Sequence, residues 1–536
     1  MANLRRARTL GTVAIVLHTH LPYIHHPEYE DFLEEDWLFE ALAECYLPIL
    51  FVMRDLRRDG VPFRLSFSMT PPIVSMLETA DLKRKFEIYL AKRLELSRRE
   101  LGRYEAGTRQ AAAANHYTRR HAQIQDEWQR VHRDVPGAFR ELEREGHIEI
   151  LASAATHAFL PLLVDENAVR AQVRLGVRLH ERVFGRRPRG FWLPECAYRP
   201  GLDQILRDEG IVWAPLESHA VECALPTPPG GTSRPVRTPN GLIGFARDRA
   251  CSEQVWSSEV GYPGDPEYRE LYRDLGFDGD YAAVRPFLKQ DGVRRNLGVK
   301  YHRITGKVGL NEKDLWDPAA ARGRAAVHAG NFLFNRSEQV KTRRREIGEE
   351  PVILAPFDTE LFGHWWYEGP WFLEEIFRQA GHTGDDLPFA FATPSETLEM
   401  GGSVHPTYVH ASSWGADGFF RVWLNEKNHW MWPHLHEMEA RMVEDAGRYA
   451  APGDAERRIL NQMARELCLA QSSDWPFILT METSAYYAEQ RFRNHVHRFF
   501  ALREALYGKP FDPMELERVA KNDAIFPDMD YRVFVR

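Results

Sequence analysis

Seven short apolar runs recur along the chain, and each gives way at once to polar residues. They are Thr12–Leu17, Phe63–Ser68, Ile148–Leu151, Gly190–Leu193, Ile211–Pro215, Gly241–Ala246 and Val352–Phe357. Runs this short and this apolar predict strands buried on both faces. Stretches with helical spacing fall between them, among them 34–58, 168–184 and 201–209. Strand, polar strand end and helix in repetition predict a parallel α/β barrel, where chemistry collects at the C-terminal ends of the strands. A doubly wound open sheet is the alternative, but no glycine-rich phosphate loop follows the first run.

Two regions break the alternation. Residues 81–145 are charged and helical, so they read as an insertion between strands. From 401 onward the strand signal fades and helical periodicity takes over. The expected division is a catalytic barrel over 1–80 and 146–400, an inserted helical subdomain over 81–145, and a helical C-terminal domain over 401–536 that reaches the active site. The stretch 226–241 is dense in proline, glycine and serine and reads as an exposed, irregular connection. No internal repeat or low-complexity tract is evident.

Composition narrows the class. A chain of 536 residues with 44% hydrophobic content has material for a large core and more than one domain. A net charge of −8 gives no basic surface for nucleic acid and no polybasic membrane anchor. The arginine-bearing arm at the start reads as a solvated tail. The apolar run Val13–Leu17 is too short for a signal-peptide core. No segment has the roughly 20 apolar residues of a membrane span. Cys45, Cys196, Cys223, Cys251 and Cys468 are scattered and lack CxxC spacing, so neither a disulfide framework nor a zinc knuckle is expected. The expectation is a cytoplasmic protein, a monomer or a small homo-oligomer.

The candidate chemistry sits where the runs end. Glu195 follows Phe191–Leu193 and Asp358 follows Val352–Phe357. A carboxylate at a strand end among aromatics is costly without partners, and two such groups facing one another suit glycosidic chemistry. The competing reading for either acid is a helix cap or an ion pair. Glu360 competes with Asp358 for the second role, and Asp358 is preferred because it is nearer the strand. Cys196 reads as a small buried filler.

His18 and His20 follow the first run at strand alternation, and His157 follows the third. They could bind a metal or hydrogen-bond substrate hydroxyls. His25 and His26 read as surface-loop residues. Trp256, Trp365, Trp366, Trp414 and Trp475 lie beside polar or glycine-rich loops, as platforms for sugar rings would. Asp474 reads as a polar contact from the C-terminal region or as a helix cap.

Five stretches resemble, in order, the signature regions of glycoside hydrolase family 57. They are HTHLP (18–22), HIEILASAATHAFLP (147–161), FWLPE (191–195), FDTELFGHWW (357–366) and SSDWPF (472–477). Within that family the chain is similar to the branch of α-1,4-glucan branching enzymes and AmyC-type α-amylases. The resemblance implies a (β/α)7 barrel, a retaining mechanism, an α-glucan substrate such as amylose or a glycogen-like polymer, and no metal or other cofactor. It implies Glu195 as nucleophile and Asp358 as general acid/base. His18, His20 and His157 would line the donor subsite, and Arg247, Gly264, Trp414 and Asp474 would contact substrate. Where the family carries a glutamine nine residues after that aspartate, this chain has Thr483. The stretch matching the family's loop over the active site, 222–241, is short and holds no tyrosine. The activity implied is glucan branching, with α-amylase-like hydrolysis by the same pair as the alternative.

Overall fold

The structure, a computed structural model, describes residues 9–535; the arginine-bearing arm read as a solvated tail falls almost wholly outside them. Its strands are β1 Gly11–Thr19, β2 Leu65–Met69, β3 Ile148–Ser153, β4 Phe191–Trp192, β5 Trp213–Leu216, β6 Val236–Arg237, β7 Ile243–Ala246, β8 Val352–Asp358, β9 Phe389–Phe391 and β10 His405–Pro406. One sheet runs β4-β3-β2-β1-β8 and another runs β10-β6-β7-β5. Single parallel bridges join them, Gly190 with Trp213 and Arg247 with Leu354. The ring β1-β2-β3-β4-β5-β7-β8 therefore returns to β1 as seven parallel strands. β1 gives one edge to β8 over Thr12–His18 and shares the other between β9 and β2.

Alternation along the strands fixes both the core and the site. Ala14, Val16, Leu151, Trp192, Trp213, Ile243, Phe245, Val352 and Leu354 form one buried cluster that fills the barrel, and Cys196 packs into it as a filler. One step further along the same faces come His18 on β1 and Arg247 after β7, and two steps beyond Leu354 comes Asp358. A period of two thus carries the packed interior upward into polar residues at the strand ends.

The region between β2 and β3 holds the helices Ala80–Leu101, Arg109–Arg130 and Val135–Arg144. Past β10 the chain is mainly helical, and the loop before the helix Asp474–Met481 meets the barrel directly. Ala158 bridges Ser472, and the Ser473 N–H donates to His157 O at 3.0 Å. No described helix is long and apolar enough to cross a membrane.

Two expectations are corrected here. His25 and His26 are not surface residues: both are largely buried, His26 stacked on Phe32 and hydrogen-bonded to Tyr487. The stretch 226–241 is not exposed and irregular throughout: residues 233–236 are buried. It forms β6, which pairs antiparallel with β7, and its Arg234 donates to the carbonyls of Glu350 and Ser403, beside the starting end of β8.

Candidate active site

Glu195 sits where β4 breaks off after two residues. Pro194 ends the ladder, and Glu195 and Cys196 take left-handed backbone, with φ of 62° and 49°. His157, after β3, has φ of 56°. Left-handed non-glycine residues cost roughly 1–3 kcal/mol each and persist only where the surroundings hold them. Here the holding groups are visible. The Trp414 N–H donates to Glu195 O at 2.9 Å and its indole Nε1 donates to Glu195 Oε2 at 2.7 Å. Ser473 Oγ donates to Glu195 Oε1 at 2.8 Å.

The histidines form a stack. His18 lies under the Trp192 ring at 4.2 Å, and the rings of His20 and His157 stack at 3.7 Å. His18 Nε2 is hydrogen-bonded to His157 Nε2 at 2.9 Å, His18 Nδ1 to Ser68, and His157 Nδ1 to Ser473. Burial holds His18 and His157 well below the usual imidazole range, so they are neutral. Burial also opposes charge on His20, but the Asp474 carboxylate, 3.0 Å away, holds its pKa above the usual value.

His20, His157 and Asp474 present ligand atoms within 4.8 Å of one another. Both ring nitrogens of His20 and of His157 are already hydrogen-bonded, so an ion would have to break this network. The donor set fits a hydrogen-bonding chain better than a metal centre.

Asp358 ends β8 facing the same space. Burial raises both it and Glu195 above the ordinary carboxylate range. On Glu195 the Trp414 and Ser473 hydrogen bonds work against burial, and the charges of Asp474 and Asp358 add to it. Around Asp358 only the positive charges of His20 and Arg247 oppose burial, and none of the described residues donates it a hydrogen bond. The pair therefore holds a proton near neutrality. Two donors favour charge on Glu195, and His20 and Arg247 favour it on Asp358. Burial still carries Glu195 to about 7 and Asp358 to about 6, so the two carboxyls share the proton as a pair. Glu360, behind it, accepts a hydrogen bond from Tyr46 and is pushed by burial up to about 8, which keeps it neutral.

Eleven of the residues singled out as catalytic or substrate-binding line one cleft of about 790 Å³: Glu195, Asp358, His18, His20, His157, Arg247, Trp256, Gly264, Trp365, Trp414 and Asp474. Arg247 is fixed by Glu217 at 3.1 Å and Ser252 at 3.0 Å. Gly264 is required because a Cβ there would fall 2.1 Å from Ser258 O. Trp256 and Trp365 are half exposed at the mouth, at 53% and 51%.

Two of the tryptophans read as sugar platforms are not in the cleft. Trp366 and Trp475 are each 1% exposed and belong to the core, Trp475 donating to Leu469 O. Thr483 is exposed and lines no part of the cleft. Nor does any residue of 222–241; that wall comes from 256–272, including the 72% exposed Tyr272. Asp474 opens the helix Asp474–Met481 and turns its carboxylate to His20. Sequence reasoning missed Ser473, Trp192, Glu217 and Tyr272. Ser473 and Trp192 stand inside motifs already singled out, so their position was a signal. Tyr272 carried none.

Comparison with known proteins gives a consistent result. The family described as Glycosyl hydrolase family 57 matches residues 14–317, and the one described as 1,4-alpha-glucan branching enzyme, C-terminal, matches 434–534. A 1,4-alpha-glucan branching enzyme of Thermococcus kodakarensis is 34% identical over 96% of this chain and 77% of its own length. The crystal structure of the α-amylase AmyC from Thermotoga maritima matches at TM-score 0.91 with 40% identity, covering 98% of this chain and 99% of that one. A GH57-type branching enzyme from Pyrococcus horikoshii matches at 0.88 with 33% identity, covering 98% and 97%. By family match, by identity and by fold, the chain belongs to glycosyl hydrolase family 57.

Proposed function

We propose that this protein is a retaining 1,4-α-glucan branching enzyme, acting on an amylose- or glycogen-like polymer in the cytoplasm. The observation that carries the reading is the unequal pair of carboxyls in one aromatic cleft, Glu195 held by two donors and Asp358 held by none. The matched branching-enzyme C-terminal region supports transfer over hydrolysis.

In the first step Asp358 gives its proton to the glycosidic oxygen while a Glu195 oxygen attacks the anomeric carbon. The C–O bond to the leaving glucan breaks and an ester to Glu195 forms. His18 and His157, neutral and hydrogen-bonded to each other, to Ser68 and to Ser473, form a fixed wall beside the sugar being transferred. His20 with Asp474 adds a polar clamp whose carboxylate can accept from a sugar hydroxyl. Trp256, Trp365 and Trp414 present faces to the chain. In the second step the Asp358 carboxylate takes the proton from a 6-hydroxyl of an acceptor glucan. That oxygen attacks the anomeric carbon, releasing Glu195 and forming the α-1,6 link.

Water competes for the same ester, and a barrier difference of about 1.4 kcal/mol changes the product ratio tenfold. The likeness to AmyC and the distance of 222–241 from the cleft favour α-amylase-like hydrolysis as the second reading. Amylose incubated with the protein separates them, with reducing ends counted and α-1,6 links measured by proton NMR. Accumulating α-1,6 links with few new reducing ends is the expected result. Rising reducing ends without α-1,6 links would make the protein a hydrolase.

A further inference from the structure

A second cavity, of about 470 Å³, lies away from the strand ends. It is bounded by the helix Ala80–Leu101, by residues around Asp36, and by the stretch 285–297. Its size suits a small organic ligand. One side is aromatic, from Phe39, Tyr89 and Phe287. The acids in its wall are already matched. Glu35 pairs with buried Lys85 at 2.9 Å, Asp31 and Asp36 share Lys289, and Glu30 pairs with Arg84.

The cations are not all matched. Lys92, Arg93 and Arg285 line the cavity, and among the described residues none of them makes an ion pair. Arg93 is the telling one. It is 6% exposed, its Nε has no partner, and its guanidinium lies 4.5 Å from the Tyr89 ring centroid. Its hydrogen bond to Asn296 O is long, at 3.4 Å. Against burial, Tyr89 and the charges of Asp36 and Asp274 keep it protonated, but neither carboxylate forms an ion pair with it. Its Nε edge is left for an anion to complete.

We infer that this cavity binds a phosphate monoester of a small sugar or nucleoside, and that its occupancy is felt at the catalytic motif. Three cations outside any ion pair among the described residues, with Arg285 donating only to the carbonyls of Lys289 and Gln290, suit a dianion. A guanidinium fork matches phosphate oxygens bidentately. The aromatic side suits the ring that carries the phosphate.

The route to the motif is short. Asp36 and Phe39, in the cavity wall, belong to the helix Asp36–Ala41, which passes through a single π-helical stretch, Leu42–Tyr46. Such stretches interrupt helices where function bends them. This one is docked on 357–366. Glu44 is hydrogen-bonded to His364 at 2.6 Å, and Tyr46 donates to Glu360. Gly363, at φ 127°, lies so close that a Cβ would meet Glu44 O at 1.9 Å. A shift of the cavity wall therefore moves the backbone that follows Asp358.

The test uses the full chain. Thermal shift and calorimetry are run with inorganic phosphate, glucose 6-phosphate and AMP, on wild type, on Lys92→Ala/Arg285→Ala and on Arg93→Met. The double variant removes partly exposed cations that hold no ion pair, so it folds even if Arg93→Met does not. Saturable binding of at least one ester is expected, tighter than that of inorganic phosphate. The double variant should lose about tenfold or more in affinity, with amylose activity unchanged when no phosphate is added. Saturating ester should change wild-type kcat on amylose by about fivefold. No saturable binding, or affinity unchanged in the double variant, overturns the site. Inorganic phosphate binding as tightly as the esters overturns the ring's role. Binding that leaves both kcat and KM unaltered overturns the link to the motif.

Discussion

The two carboxyls of the cleft come from strand ends three steps apart around the barrel, and their surroundings are built differently. The β4 end is short, strained and cross-braced. Glu195 takes left-handed backbone, and Trp414 and Ser473, both from beyond β10, reach in to hold its oxygens. The β8 end is regular. Asp358 simply continues the alternation of its strand, and its carboxyl stands free of donors. Strain and donors fix a charged oxygen for attack at one point in space. A buried carboxyl with no donor of its own, raised above the usual carboxylate range, is suited to give and take a proton. In the proposed mechanism this difference in scaffolding is what suits one carboxyl to attack and the other to proton transfer, since burial alone raises both groups.

The largest effect should come from Glu195, the proposed nucleophile. Glu195→Gln is expected to lower kcat on amylose about 10⁴-fold or more. Asp358→Asn should also lose most activity on amylose, yet it should still release fluoride from an α-glucosyl fluoride, whose departure needs no proton. Glu195→Gln should release none. A folded Glu195→Gln protein with wild-type activity would end the assignment, and equal fluoride release from both variants would erase the distinction.

The bracing comes next. Each hydrogen bond to a charged group is worth about 1.5–3 kcal/mol, so Ser473→Ala or Trp414→Phe should cost roughly 10- to 100-fold in kcat/KM. The sign of the pH effect is set by the same bonds. They stabilise the Glu195 carboxylate, so removing one raises its pKa and moves the acid limb of the pH–activity profile upward. An acid limb unmoved in both variants would show that these donors do not set the charge.

The sequence carried the barrel because strand ends with buried interiors leave an unmistakable trace: an apolar run, then polar residues on the inward face. His18 and Asp358 were legible for that reason, whereas Arg247 was reached only through the family resemblance. Ser473 was not legible, because its role depends on a loop from the far end of the chain meeting His157, a contact that periodicity does not encode. Trp366 and Trp475 were misread because local composition does not reveal which side of a loop faces the core. The stretch 226–241 was misread as exposed and irregular for a related reason. It follows β5, but its hairpin with β7 carries it down the outside of the barrel, and the cleft wall is supplied by residues 256–272 instead.

A smaller effect separates Glu360 from Asp358. Burial raises the Glu360 pKa from an ordinary 4.5 to about 8, so the folded state favours its protonated form. The stability this group contributes is complete below its unfolded pKa and is lost as pH rises through the folded value. Glu360→Gln keeps the neutral form at every pH. It should raise Tm by a few degrees at pH 8.5 relative to wild type and leave it nearly unchanged at pH 4. A Tm difference independent of pH would mean that Glu360 is charged in the fold.

The mildest test contrasts two neighbours in one motif. Trp365 is 51% exposed at the mouth of the cleft, while Trp366 is 1% exposed and packed against Phe372 at 4.9 Å. Trp366→Ala should act as a core deletion, costing about 3–5 kcal/mol of stability. Trp365→Ala should leave Tm almost unchanged and instead remove a face for the glucan chain. A single aromatic contact is worth about 1 kcal/mol, so KM for amylose should rise roughly fivefold. Short maltooligosaccharides that do not reach the mouth should be processed as before. If both chain lengths lost activity equally, Trp365 would be shaping the reacting end of the cleft, and the mouth would have to be held by Trp256 and Tyr272 alone.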